Sequence, residues 1–142
     1  MSVELTRATL MAYLECLEQR GPYDRYFTDD VRFMIMGAGQ DVKGKVAVEQ
    51  FIRAFHEHMF DAHPKLKTTM VGDGLAAIEM DFVGVHTGEF GGVPASGNHI
   101  NVPYAVVYEI DGDKIAALRL YMPMDVLFKQ VSAVPAPAEV GV

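Results

Sequence analysis

The sequence predicts an α+β domain with helices packed on one face of a curved antiparallel sheet. Helix-period apolar spacing dominates the chain up to residue 61, with one strand set between the helices. Four strand-like segments then follow in quick succession between 65 and 122. The links between them are of hairpin length and carry Gly and Asp turn signals. Helices first and a strand meander afterwards describe segregated helix and sheet, not alternating strand and helix.

Each element follows from its local pattern. Residues 3–20 read as a helix, with Leu10, Tyr13, Leu14 and Leu17 recurring at 3–4 spacing. Gly21-Pro22 stops it. Residues 22–28 suggest a short helix or turn, and 31–36 (VRFMIM) a first strand that Gly37-Ala38-Gly39 ends. A further helix is expected over 45–61, with Val48, Phe51, Ile52, Phe55 and Met59 as its apolar stripe. Strands are expected at 65–71, 75–88, 98–110 and 114–122, and a helical turn at 124–131. The domain is expected to span 1–131, with 132–142 a fraying tail that holds two closely spaced prolines.

Composition narrows the function classes. The chain has 142 residues, enough for one domain with a proper core. Its net charge is −7 and its 12 basic residues are scattered, so no footprint for nucleic acid is present. No basic amphipathic helix or long apolar span points to a membrane. The N-terminal stretch lacks the pattern of a signal peptide, so the cytoplasm is the expected location. The single cysteine, Cys16, falls on an amphipathic helix and reads as a small buried hydrophobe. No metal or organic cofactor is implied: His56, His58 and His63 do not share a face, and no metal-binding motif occurs. These three histidines are expected on a solvated face or a helix end.

Candidate chemistry comes from strand parity, because side chains two apart share a face. Ile78, Met80, Phe82 and His86 fall together, so His86 extends an apolar row. Ile115, Ala117, Arg119 and Tyr121 fall together on the last strand, which sets an arginine among small and apolar neighbours. A buried imidazole serves as a general acid or base, and Arg119 or Tyr121 beside it would donate to an enolate oxygen. The plainer reading makes His86 a strand-end residue bonded to a backbone carbonyl, and Arg119 and Tyr121 members of a salt bridge or packing pair. Tyr13, Met34, Met80, Phe82 and Tyr104 are the expected ligand-lining residues, since aromatic and methionine side chains suit an irregular apolar guest. The outer face of the last strands, with Val107, Leu118 and Leu120, is expected to seek a second copy of the chain.

Several segments together resemble the SnoaL-like branch of the nuclear transport factor 2-like superfamily. They are LMAYLECLEQ, DDVRF, GKVAVEQFIRAF and the stretch from Gly84 to Ile115 that contains HTGEFGGVPASG. The resemblance covers about residues 5–131. It implies a conical α+β barrel, with a curved sheet around a helix-capped cavity, in a homodimer. It also implies acid/base chemistry of cyclase or isomerase type on a hydrophobic, carbonyl-bearing molecule. The family's histidine maps onto His86, and its helix-1 tyrosine onto Tyr13. Where the family carries Tyr-x-Asp, this chain has Tyr121-Met122-Pro123, which leaves Asp125 as a substitute acid. That departure keeps a second reading open: a hydrophobic-ligand-binding or dimerisation module of the same fold without catalysis.

Overall fold

The protein is described here by a computed structural model covering residues 2–134. The expected tail at 132–142 therefore falls largely outside the described residues. Helix α1 (Val3–Glu18) starts at Ser2, whose hydroxyl accepts from the Leu5 N–H at 3.0 Å and satisfies one of the free amides of the first turn. Thr6, Thr9, Leu10, Tyr13 and Cys16 form its buried face. A 3₁₀ turn at Tyr23–Tyr26 leads into β1 (Phe27–Ile35).

A second, short strand follows where none was expected. β2 (Gln40–Lys43) folds back on β1, pairing Ile35 with Gln40. Three of its four residues are polar and Val42 is its single apolar one, so this edge strand lacks the apolar alternation that marks a strand. Helix α2 (Lys45–Arg53) widens into a π-helical turn at Ala54–Met59 and gives way to β3 (Phe60–Ala62), where helix was expected to continue. Then come β4 (Lys65–Val71), β5 (Leu75–His86), β6 (His99–Asp111) and β7 (Lys114–Tyr121). Helix α3 (Met124–Ser132) closes the described chain.

The strand order is β2-β1-β7-β6-β5-β3, with β4 sharing the outer edge of β5. β1 and β7 run parallel and every other pair runs antiparallel. The sheet is thus mixed and strongly curled, and the helices lie on its hollow side. This is the cone-shaped α+β architecture expected from the sequence.

Two glycines bring β3 and the π turn close to β5. A Cβ at Gly84 would lie 2.4 Å from the Asp61 carbonyl oxygen, and one at Gly88 would lie 2.4 Å from that of His58. Gly84→Ala should therefore destabilise the fold by about 2 kcal/mol, since backbone on the facing strand must shift. Urea unfolding measures this as a lower midpoint.

The hollow face carries Phe33 and Ile35 of β1, Ile78, Met80 and Phe82 of β5, Val106 and Tyr108 of β6, and Leu118 and Leu120 of β7, all buried. Leu118 and Leu120 were expected on the outer, partner-seeking face, and the structure corrects this. They are 1% and 5% exposed and pair with Tyr108 and Val106 across the interior. Alternation then sends Arg119 and Tyr121 to the convex side, alongside Val107.

Candidate functional site

α1, the end of α2 and the curled sheet meet around one cavity. Tyr13 and Leu17 of α1 form one wall, and Ile52, Phe55 and His56 of α2 and its π turn form a second. Phe33, Met80, Phe82, Tyr104, Tyr108, Leu118 and Leu120 of the sheet form the floor. Met122 also borders it. These side chains fill most of the space, and the free volume left is about 40 Å³. Room on that scale admits a few water-sized groups.

Four polar side chains interrupt this apolar lining: Tyr13, Tyr104, Tyr108 and His56. The Tyr13 and Tyr108 rings meet edge to face at 6.0 Å. Their hydroxyls make no hydrogen bond within the described residues, whereas the Tyr104 hydroxyl donates to Met80 Sδ at 3.4 Å. Burial pushes all three phenols above their ordinary range. They are neutral at physiological pH and act as O–H donors.

His56 is the titratable group of opposite tendency. Its Nδ1 donates to the Ile52 carbonyl at 2.8 Å, which places the proton on Nδ1 and leaves Nε2 with a free lone pair. Burial lowers its pKa to about 4, against the Ile52 hydrogen bond and with a smaller push from the Arg20 charge. The imidazole is therefore neutral at pH 7 and its Nε2 is basic. Phe82 packs beside it at 5.5 Å. A free imidazole nitrogen and neutral phenols around one apolar space can take a proton from carbon and donate to the oxygen that gains charge.

The residues expected from the sequence divide into two groups. Tyr13, Met80, Phe82 and Tyr104 line the cavity. Met34 does not: it pairs with Arg119 on the convex side, and its neighbour Phe33 faces in. Arg119 and Tyr121 are likewise outside, with the guanidinium held by Glu109 and Tyr121 46% exposed. Asp125 is exposed on the first turn of α3. The structure does not bring these four to the cavity: alternation along β1 and β7 turns Met34, Arg119 and Tyr121 outward, and Asp125 lies beyond β7 on an exposed helical turn.

His86 follows neither group. It is fully buried, on the same face as Met80 and Phe82, yet it does not border the cavity. Phe60 packs on its ring at 5.4 Å and also meets Phe82 at 5.4 Å. The Ser96 N–H donates to His86 Nδ1 at 3.1 Å, with the Ser96 hydroxyl 2.8 Å away. An N–H only donates, so Nδ1 is an acceptor and Nε2 carries the hydrogen. Nε2 has no partner among the described residues. The Gly97 N–H donates to the His86 carbonyl, and the His86 N–H to that of Asn98. His86 thus pins the loop that joins β5 to β6. Asn98, at the end of that loop, donates in turn to carbonyls of Gln130 and Ala133 at the end of α3.

His56 and Tyr108 were not among the expected site residues. The sequence signal for His56 was its place four residues after Ile52 and beside Phe55, on the edge of the apolar stripe. Its spacing to His58 drew the reading toward solvent instead. Tyr108 shares parity with Tyr104.

The family model of the SnoaL-like polyketide cyclase matches residues 8–131. The chain belongs to that family. Among solved structures, this SnoaL-like protein resembles a candidate SnoaL-like polyketide cyclase from Jannaschia sp. CCS1, with a TM-score of 0.83 and 18% identity over 93% of this chain and 94% of the other. It also resembles TsrD from Streptomyces laurentii, with a TM-score of 0.78 and 20% identity over 94% and 99%. A candidate ketosteroid isomerase from Kribbella flavida DSM 17836 follows, with a TM-score of 0.68 and 16% identity over 96% and 87%. At these identities the likeness establishes the SnoaL-like fold and nothing finer. A comparison with curated proteins finds no match. Among the described residues, no cluster of metal-binding side chains occurs and no helix is long and apolar enough to cross a membrane.

Proposed function

We propose that this SnoaL-like protein is a small-molecule enzyme of cyclase or isomerase type, acting on a neutral, hydrophobic compound that bears a carbonyl group. One observation carries the reading: a neutral imidazole with a free Nε2 and two unpartnered phenols border the same apolar cavity. His56 Nε2 takes a proton from the carbon next to the carbonyl. The carbonyl oxygen gains the charge as an enolate, and a hydroxyl of Tyr13 or Tyr108 donates to it. The proton then returns from His56 to another carbon of the same molecule, or the enolate carbon attacks a second carbonyl and closes a ring, and the alkoxide formed there takes the proton back from His56. No ionised side chain borders the cavity, which favours a neutral substrate.

A second reading is favoured by the lack of any carboxylate in the lining, with Pro123 where the family resemblance implies an acid. In it, the same residues contact such a molecule without turnover.

Exchange of α-protons of 2-tetralone in D₂O, followed by NMR, separates the two. The enzyme should exchange them at least about 100-fold faster than buffer, as expected of a positioned general base. Saturable binding with no exchange establishes the second reading. Neither binding nor exchange overturns both.

A further inference from the structure

The cavity's imidazole stands on an unusual piece of backbone. His56 lies in the π turn at Ala54–Met59, a rare form that recurs at functional sites. Such a turn keeps one geometry only where its surroundings hold it. Two arginines do so, one at each end.

Arg53 is the residue just before the turn. Its Nη1 donates to Glu57 Oε2 at 2.8 Å, and Glu57 is the neighbour of His56 within the turn. Its Nη2 donates to the Gly21 carbonyl at 2.9 Å, beyond the end of α1, and to Glu49 Oε2 at 3.3 Å, one turn back on α2. The guanidinium also covers the Tyr23 ring, 4.7 Å from its centre, and that ring meets Tyr13 edge to face at 6.2 Å. One planar group thus touches both the turn that bears the imidazole and the ring that supports a phenol of the cavity. Its rigid fork of N–H donors makes this possible, and a lysine ammonium cannot satisfy these directions at once.

Arg20 grips the far end. Its guanidinium donates to Asp61 Oδ1 at 2.6 Å and to the Ala62 carbonyl at 3.1 Å, both on β3, which follows the turn directly. Arg20 has a φ of 55° just past the end of α1, where helices commonly finish on glycine. A glycine would take that bend without strain but would leave Asp61 without the guanidinium.

We propose that Arg53 is a positioning residue: it fixes the π turn, and with it the placing of His56 Nε2 against the Tyr13 hydroxyl across the cavity. Its part in turnover rests on the functional reading above, whereas the positioning stands on the contacts alone.

NMR titration of the His56 ring in the full chain tests this alongside 2-tetralone exchange, with the ring signal assigned from His56→Leu. In wild type the ring should titrate near about 4. Arg53→Lys keeps the charge and loses the fork. A loosened turn admits water to the ring, so His56 should titrate above about 5, and kcat for exchange should fall at least about tenfold with KM within about twofold of wild type. Glu57→Ala cuts the strut at its other end and should move the titration the same way. Loss of its charge alone would lower the pKa, so a rise reports position. Arg32→Met, which breaks the ion pair with Asp41 on another part of the sheet, should change neither reading. Far-ultraviolet circular dichroism checks that each variant is folded. A wild-type titration of His56 in both Arg53→Lys and Glu57→Ala overturns the proposal, as does a shifted titration at an undiminished kcat. A shifted titration in a protein whose wild type exchanges nothing upholds the positioning and removes the chemistry.

Discussion

Replacing His56 with Leu should reduce α-proton exchange by about 10²- to 10⁴-fold, the range for loss of a positioned general base. The same change should make the protein more resistant to acid. Both effects follow from one perturbed equilibrium. Burial holds the folded-state pKa at about 4, whereas in an unfolded chain the imidazole titrates near its ordinary value of 6.5. Between these values the unfolded state binds more protons, so wild-type stability falls as the pH drops from 6.5 through 4. Above 6.5 the penalty is absent. His56 as a residue is half-buried, so solvent screens part of this penalty and the loss amounts to about 2 kcal/mol. His56→Leu removes this slope, which urea unfolding at pH 7 and pH 4.5 measures. Wild-type kcat/KM should fall on the acid side only near pH 4, since protonation of His56 removes the base. A limb near pH 6.5 would assign the base to an unburied group.

Phe82→Ala should cost about 3 to 5 kcal/mol, the largest single loss expected in this chain. Phe82 is fully buried at the meeting point of four rings: Phe55 at 4.8 Å, Phe60 at 5.4 Å, His56 at 5.5 Å and Tyr104 at 6.0 Å. Truncation removes its own transfer energy and leaves a void that these neighbours cannot all close. Since a whole domain is stable by only about 5–15 kcal/mol, the variant keeps a fraction of that. Guanidinium unfolding should show a lower midpoint with an unchanged slope. The enlarged space is apolar on most sides, so benzene should raise the unfolding temperature of Phe82→Ala and leave wild type unmoved. No rise with benzene would mean that the site collapses around the missing ring.

Much of this architecture was legible because long strands leave a strong period-2 signal. β5, β6 and β7 appear within two residues of their expected bounds, and the grouping of side chains by parity holds along β5 and β6, whereas on β7 a register shift turns Ile115 inward with Leu118 and Leu120. Parity does not say which group faces inward. On β7 both groups contain apolar residues, Ile115 and Ala117 in one and Leu118 and Leu120 in the other, so Arg119 was assigned to the wrong side. Met34 and Phe33 pose the same ambiguity on β1. The short strands β2 and β3 carry four and three residues, too few for any period, and their pairing is set by tertiary contact. His56 escaped notice for a related reason: a π turn rotates its residues off the helical wheel on which the spacing argument relies. His86 was recognised as interior, but an intervening ring, Phe60, is a matter of packing that no local pattern records.

The parallel pairing of β1 with β7 has a consequence for how the chain acquires its shape during synthesis. Phe27 finds its partner in Ile115, so the hollow side of the cone stays open until the C-terminal strand has left the ribosome. Nascent α1 and β1 must therefore wait with their greasy surfaces uncovered. The slowest step of maturation should be this long-range closure, where the entropy of joining distant segments is highest.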